Sequence, residues 1–236
     1  MPVPTRPNDP HEISTADFVF TDCNDRKWTA PNRTITDGAS IPSAFLSLIG
    51  DRYDDRWRGA ALVHDAYCGA GNSGGTSFHR APWRSVHRMF YAACLAGKTP
   101  RRKALLMYAA VYWGGPRWNV VPSDTVPLVF ANRKRTDLTS DDRLAARLDL
   151  SNVSQLLRDR QFVEVADFIM ASGRRGVSLD ALEALLQSAA DSVHVGKVLP
   201  LRAGSITPKV AREMKKAGRG DLLNSTNDNR VNSGGY

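Results

Sequence analysis

Cysteine, long apolar runs and a signal-like leader are all scarce or missing in this chain of 236 residues. The three cysteines, Cys23, Cys68 and Cys94, are an odd number without a CxxC spacing. This argues against a disulfide scaffold or a zinc ribbon and favours a reducing compartment. No stretch approaches the ~20 apolar residues that span a bilayer. The opening "MPVPTRPNDPHEIS" has no apolar core, so we expect no Sec signal peptide, a cytoplasmic protein as synthesised, and any export by a signal-independent route.

The chain does have enough apolar residues for a core, and it has an excess of positive charge. Hydrophobic residues make up 42% of the sequence, as in soluble globular proteins, and the formal net charge is +8. That charge suits anionic lipid headgroups or nucleic acid. The basic residues fall in short clusters, such as 101–103 and 133–135, and no nucleic-acid-binding motif is present. We therefore expect a solvated basic surface or a membrane contact, and no nucleic-acid partner.

The patterning predicts an α+β fold that is mainly α, with a small N-terminal β-hairpin or sheet over residues 13–36. Helical stripes follow at 57–68 and 81–96, joined by a glycine-rich loop, and we expect these two helices to pack antiparallel. Thr99-Pro100 predicts the N-cap and first position of a third helix that runs to about residue 112.

Composition predicts four segments along the chain. Residues 1–120 form a core module, 121–137 a proline-bearing linker, 138–223 a helical interaction module, and 224–236 a disordered tail. The interaction module has a helical pair at 151–171 and 178–193, and a short basic helix that starts at Thr207-Pro208. Its apolar cluster needs a partner surface, either the 178–193 helix or another protein. The cluster comprises Leu156, Leu157, Val163, Val165, Phe168 and Ile169.

The stretch "GAALVHDAYCG", residues 59–69, places His64 and Asp65 side by side in an apolar helix. A buried acid beside an imidazole is costly unless each group finds a partner. The pair is therefore either a functional site or a polar staple, in which Asp65 holds the amides of the loop "TDGASIP" at 36–42.

The loop "TDGASIP" itself allows two interpretations. Asp37, Gly38 and Ser40 contribute to a site, or they have conformational roles. In the second case Gly38 permits a positive φ, Asp37 makes an Asx-turn and Ser40 caps a short helix. Ser40 lacks the G-x-S-x-G surroundings of a nucleophilic serine.

His87 lies on the stripe Trp83, His87, Tyr91, which we expect to face the same core as the 57–68 helix. Asp37, His64, Asp65 and His87 could then meet as an imidazole–carboxylate site for Zn²⁺ or another transition ion, which would activate water for hydrolysis. The alternative is that His87 is only a hydrogen-bonded core residue.

Four stretches together resemble a family of phages and bacteria catalogued as domain of unknown function 1353. They are "TDGASIP", "AALVHDAY", "VHRMFYAACLAG" and "ALLMYAAVYWGGPRW", and they cover residues 15–120. The family is distantly similar to phospholipase A2. That resemblance implies that His64 is a general base for water, that Asp65 binds Ca²⁺, and that the loop at Asp37 and Gly38 supplies further oxygen ligands.

The chain departs from this pattern at two positions near the histidine. His87 stands where the family usually has an aspartate on the second helix, and an imidazole is not expected to anchor His64 as a carboxylate would. Cys68 replaces the expected tyrosine, with Tyr67 one position early. We keep Tyr67 and Tyr91, with Gly38 and Ser40, as substrate or loop residues.

Two functions from different classes follow. The first is a small hydrolase of lipid esters, carried by a phage or used as an antibacterial effector, with Ca²⁺ or Zn²⁺ as cofactor. Its C-terminal helices would bind an immunity, carrier or virion protein. The second is a non-enzymatic phage or bacterial structural or interaction protein, in which the His-Asp motif only holds a helical core together.

Overall fold

In a computed structural model the described residues are 3–4, 10–38, 53–118, 140–172 and 177–201. The chain divides into two compact units, Met1–Ala145 and Ala146–Tyr236. The described part contains six α-helices and small antiparallel sheets near the N-terminus, so the α+β prediction is confirmed. No helix among these residues combines the length and the apolarity needed to cross a membrane.

Among the described residues of the N-terminal unit, five short strands form two antiparallel sheets. Strands β1 (Val3–Pro4), β2 (Pro10–Ile13) and β5 (Ile35–Thr36) pair in the order β1-β2-β5. Strands β3 (Phe18–Thr21) and β4 (Lys27–Ala30) form the predicted hairpin. Strand β5 pairs with β2, and this pairing fixes the position of Thr36, which contacts Asp65.

The hairpin turn is held by a carboxylate at its start. Asp22 Oδ1 accepts hydrogen bonds from the backbone N–H groups of Asn24 and Arg26 at 2.9 and 3.1 Å. Its Oδ2 accepts one from the indole N–H of Trp28 at 2.8 Å. An aspartate at this place satisfies turn amides that no strand partner reaches.

Three helices make the core of the N-terminal unit: α1 (Asp55–Cys68), α2 (Trp83–Ala96) and α3 (Arg101–Gly114). Asp54 caps α1 through the N–H of Arg56 at 3.0 Å. Helix α3 begins one residue later than predicted. The Thr99 hydroxyl donates to the Arg56 carbonyl at 3.2 Å and does not cap α3.

Helices α1 and α2 pack antiparallel, as predicted. The end of α2 lies against the start of α1, since a Cβ on Gly97 would collide with the Arg56 carbonyl. Further along, His64 of α1 contacts His87 near the start of α2. Gly97 thus permits a close approach of backbones that any side chain would prevent.

Helices α4 (Ser140–Arg147), α5 (Gln155–Ala171) and α6 (Leu179–His194) follow, the last two close to the predicted pair. In the C-terminal unit Arg147 forms an ion pair with Asp191 at 2.6 Å. Helices α5 and α6 contact each other, and both contribute side chains to the buried core of this unit. These side chains include Phe162, Val165, Phe168, Ile169, Leu182 and Leu186.

The predicted apolar cluster of α5 does not stay together. Val165, Phe168 and Ile169 are buried, whereas Leu156 and Val163 are exposed. A helix presents positions 156 and 163 away from the face that carries 165, 168 and 169, so the members of the cluster do not share one partner surface.

Several predictions fall outside the described residues. These are the short apolar helix after Ser40, the linker 121–137, the basic helix at Thr207-Pro208 and the tail 224–236. The boundary between core module and interaction module also stays a prediction.

Candidate functional site

Two imidazoles meet where α1 and α2 cross. Nε2 of His64 lies 3.0 Å from Nδ1 of His87, which is hydrogen-bonding distance. The two residues are 6% and 0% exposed, and the neighbouring Asp65 is 5% exposed. The helical stripe therefore predicted the meeting correctly. His87 supplies a hydrogen-bonding nitrogen to His64 at the place where the sequence pattern led us to expect a carboxylate.

Asp65 is fixed by the loop "TDGASIP" through a threonine. The Thr36 hydroxyl donates to Oδ2 of Asp65 at 2.5 Å, and the N–H of Gly38 donates to the same hydroxyl at 3.0 Å. Gly38 has φ of 80°, as its predicted conformational role requires. Within the described residues 36–38 of this loop, Asp65 is therefore linked to the Gly38 N–H through the Thr36 hydroxyl.

Asn72 joins the end of α1 to strand β5. Its side-chain N–H₂ donates to the carbonyls of Asp65 at 2.9 Å and Ile35 at 2.7 Å. Its Oδ1 accepts from the N–H of Ile35 at 2.8 Å. These three bonds set the position of the loop relative to the His-Asp pair.

Asp65 and Cys68 both lie close to the ring of His64. Oδ1 of Asp65 is 3.6 Å from Nδ1 of His64. The Cys68 sulfur is 3.4 Å from Nδ1 and 3.6 Å from Nε2, so it stands over the ring and is not aligned with either nitrogen. Its thiol is also within reach of the His64 carbonyl at 3.2 Å. Cys68 is buried, as predicted for a small apolar residue, but it also contacts the site.

His87 is enclosed by aromatic rings. Trp83 and Trp118 meet it edge-on, with ring centroids 5.6 and 6.0 Å away. Its Nε2 is buried and makes no hydrogen bond of normal geometry. A buried nitrogen of this kind costs about 1–3 kcal/mol, so it marks a place where a polar group of a ligand would be favoured.

The surroundings of the two histidines shift their pKa values in opposite directions, raising that of His64 and lowering that of His87. Burial lowers the pKa of His87 well below 6.5; the charges of His64 and Arg117 act in the same direction, and the Pro116 carbonyl opposes them. Burial also disfavours charge on His64, but Cys68 and Asp65 outweigh it and raise the pKa of that imidazole. A proton shared by the two rings therefore belongs on His64.

Asp65 holds its proton more tightly than an exposed carboxyl group. Burial raises its pKa, His64 and Thr36 act in the opposite direction, and Asp37 raises the pKa further by its negative charge. Asp37 thus lies near enough to act on Asp65, as the predicted constellation requires.

The remaining predicted residues lie at different distances from this centre. Tyr67 packs edge-on against Trp28, with centroids 5.3 Å apart. Tyr91 packs in the same way against Tyr108 at 5.9 Å, in contact with α3 and not with the histidines. Ser40 lies outside the described residues.

His79, in the glycine-rich loop after α1, is stacked between Phe78 and Trp118, at centroid distances of 3.8 and 4.6 Å. Its backbone N–H donates to the Tyr67 carbonyl at 3.0 Å. The loop that carries it is therefore packed onto the unit.

The described residues do not fit a metal ion. Among them no group of three or more His, Cys, Asp and Glu side chains is placed to share an ion. Oδ2 of Asp65 is engaged by Thr36, and Oδ1 faces His64. Any ion site would need donors from elsewhere in the chain.

Sequence reasoning missed Thr36, Asn72 and Trp118. The signals were present but weak. Thr36 opens the motif "TDGASIP", and Asn72 sits in the glycine-rich loop directly after α1. Long-range polar contacts of this kind leave no periodic pattern in a sequence.

Fold and site define a small α+β unit built around a buried imidazole pair. A family model described as "Protein of unknown function (DUF1353)" matches residues 14–111. Uncharacterized protein y4iH of Sinorhizobium fredii (strain NBRC 101917 / NGR234) is 31% identical over 192 residues, which cover 80% of this chain and 74% of that protein. The chain belongs to the DUF1353 family.

A second relative shares a shorter stretch. Uncharacterized protein y4jT of the same organism is 37% identical over 106 residues, covering 45% of this chain and 29% of that protein. The y4iH match is longer than the N-terminal unit, so the similarity extends into the C-terminal unit as well. No solved structure matches the chain.

Proposed function

We propose that the N-terminal unit is a hydrolase in which His87, His64 and Asp65 transfer a proton, with lipid esters as the substrate class. The observation that carries the proposal is the 3.0 Å contact between the two imidazoles, with Nε2 of His87 buried and making no hydrogen bond of normal geometry. An imidazole with one nitrogen oriented and the other open is the arrangement that general-base catalysis requires.

The proton would move in two linked steps. Because the pKa of His64 is raised to about 10, the steps run in the form in which His64 is neutral, which alkaline solution favours. In that form a water molecule gives a proton to Nε2 of His87, and His87 passes the proton on its Nδ1 to the unprotonated Nε2 of His64. The hydroxide adds to the ester carbonyl. When the tetrahedral intermediate breaks down, the leaving alkoxide recovers the proton by the reverse route.

The charge gradient of the site favours this direction. His64 has the raised pKa and lies 3.6 Å from the Asp65 carboxyl group, whereas His87 has the lowered pKa. Positive charge would therefore settle on His64, and Asp65 would stabilise it. Thr36 keeps Asp65 in place during the transfer.

Substrate must displace a cover to reach His87, because that residue is completely buried. Trp118 contacts His87 on one side and stacks on the half-exposed His79 on the other. Its indole N–H is held by the Ala81 carbonyl at 2.9 Å. One hydrogen bond and one stacking contact hold a side chain that could swing aside.

A metal is not part of these steps. Ca²⁺ or Zn²⁺ stays a prediction from the sequence, and either ion would need donors beyond the described residues. The lipid-ester substrate rests on the phospholipase A2 resemblance and on the net charge of +8, which would favour an anionic membrane surface. Delivery as a phage-borne or antibacterial effector, and an immunity, carrier or virion partner for the C-terminal helices, belong to the same proposal.

One observation favours a second candidate, a non-enzymatic staple. His64, Asp65 and His87 are all buried, and Asp65 links α1 to the loop after β5 through Thr36. A buried network of this kind can specify a unique core without performing any chemistry.

Three matched variants separate the two functions. Purified H64A, H87A and H194A are tested in alkaline buffer on a panel of phospholipids and short-chain esters, with and without EDTA, and folding is checked by circular dichroism. His194 is an exposed histidine of the C-terminal unit and serves as the control. The hydrolase proposal expects H64A and H87A to remain folded and to lose about 10²–10⁴-fold in rate, with H194A close to wild type. If the wild type hydrolyses nothing, or if H64A unfolds while its folded fraction keeps full activity, the pair is a staple.

A further inference from the structure

Helix α5 exposes a row of three large apolar side chains at seven-residue intervals. Leu156, Val163 and Met170 are 67%, 48% and 47% exposed. Scattered exposed apolar residues need no explanation, but these three lie on one face of one helix. Residues seven apart lie on one face of a helix, so a single partner helix can contact all three of these side chains.

Two charged residues of opposite sign flank the row. Arg160 follows Leu156 by four residues, and Asp167 follows Val163 by four, so both lie along the same edge of the row. Both are exposed. The face therefore combines a row of apolar side chains with two charges. The positive charge of Arg160 lies three residues before Val163, and the negative charge of Asp167 lies four residues after it.

This charge pattern identifies the occupant. If a second copy of α5 packs antiparallel with Val163 opposite Val163, Leu156 meets Met170 of the other copy, and Arg160 lies near Asp167 of the other copy. The two-fold axis makes each pair twice. In a parallel pair the edges that carry Arg160 and Asp167 would lie on opposite sides of the seam, so these attractive pairs would not form.

We propose that this face of α5 joins two copies of the chain in an antiparallel helix pair centred on Val163. The contact area of one 17-residue helix is small, so the dimer is weak and depends on protein concentration. The C-terminal unit then brings two N-terminal units together, a role independent of any catalysis by them.

The first experiment measures self-association of the full chain by sedimentation velocity over a concentration series. The wild type should dimerise, and V163E should weaken dimerisation about tenfold or more, because an unpaired charge would be buried at the two-fold axis. The matched control is V195E, since Val195 is 66% exposed but lies outside the row. A monomeric wild type, or equal dimerisation of V163E and wild type, would overturn the proposal.

The second experiment tests the orientation by exchanging charges. R160D and D167R should each weaken the dimer roughly three- to tenfold, because two attractive pairs become repulsive. The double variant R160D/D167R should restore wild-type association. If the double variant is as weak as either single one, the antiparallel arrangement is wrong. Circular dichroism of each variant excludes unfolding as the cause.

Discussion

The two units differ in how their exceptions to the usual burial rules are arranged. The N-terminal unit gathers a buried acid and two buried imidazoles into one contacting group, whereas the C-terminal unit aligns three exposed large apolar side chains along one face of α5. Both departures are costly for an isolated chain. In the first unit the cost is offset by hydrogen bonds within the unit. In the second it would be offset by another molecule. The difference indicates that the buried polar group of the N-terminal unit is the place to test for catalysis, and that the exposed face of α5 is the place to test for association.

The largest effect on stability is expected from removing Asp65, the buried acid of the N-terminal unit. We expect D65A to lower the free energy of unfolding by about 3 kcal/mol, because His64 would lose the carboxyl group beside it and Thr36 its acceptor. All five tryptophans belong to the N-terminal unit, so tryptophan fluorescence during urea unfolding follows that unit alone.

Asp55 provides the control, since it lies in the same helix with its side chain 96% exposed. D55A should cost less than about 1 kcal/mol. Equal losses for D65A and D55A would mean that the buried network contributes nothing particular to stability, and the contrast between the units would lose its first half.

The parts of the site that could be predicted from sequence are those that follow a helical period. His87 lies on the face of α2 that meets α1, and His64 was placed opposite it from two apolar stripes. Tyr91 shares the stripe of His87, but in the fold it reaches α3 and packs against Tyr108. A stripe identifies the inward face of a helix, but it does not tell which neighbour covers each position.

The α+β fold and the bounds of the main helices were predictable for the same reason. Thr36 and Asn72 were not, because each acts through polar contacts across 29 and 37 positions of the chain. Likewise, the exposure of Val163 depends on what α6 covers. Composition grouped Val163 with Val165 and Phe168, and only the packing separates them.

A buried amide in the C-terminal unit could break the comparison, since it shows that this unit also buries polar groups. Gln161 is 0% exposed and pairs with Leu199, whose carbonyl and N–H lie 3.0 and 2.5 Å from the amide. We expect Q161L to cost about 2 kcal/mol, because both backbone groups of Leu199 would stay unsatisfied.

That loss should appear in the helical signal at 222 nm and leave the tryptophan transition unchanged if the units unfold independently. Q155L is the control, because Gln155 is an exposed glutamine of the same helix. A shift of the tryptophan transition by Q161L would show that the two units are coupled and cannot be compared as separate bodies.

The smallest effect concerns the pH dependence of stability in the N-terminal unit. His87 resists protonation in the folded state because burial, His64 and Arg117 lower its pKa, whereas in the unfolded chain it takes up a proton near pH 6.5. The unfolded state therefore binds more protons as the pH falls below about 6.5, and the protein loses stability in that range. His64, with its raised pKa, acts on the alkaline side, where its contribution is lost as the pH rises through its folded pKa.

H87Q keeps a polar group beside Nε2 of His64 but cannot titrate. Between about pH 7 and pH 5 it should remove a slope of at most ~1.4 kcal/mol per pH unit from the urea-unfolding free energy followed by tryptophan fluorescence. H11Q, at a histidine of the N-terminal unit outside the pair, controls for the loss of an imidazole as such. An unchanged slope in H87Q would mean that folding does not change the pKa of His87, so that burial beside His64 would not disfavour its charge.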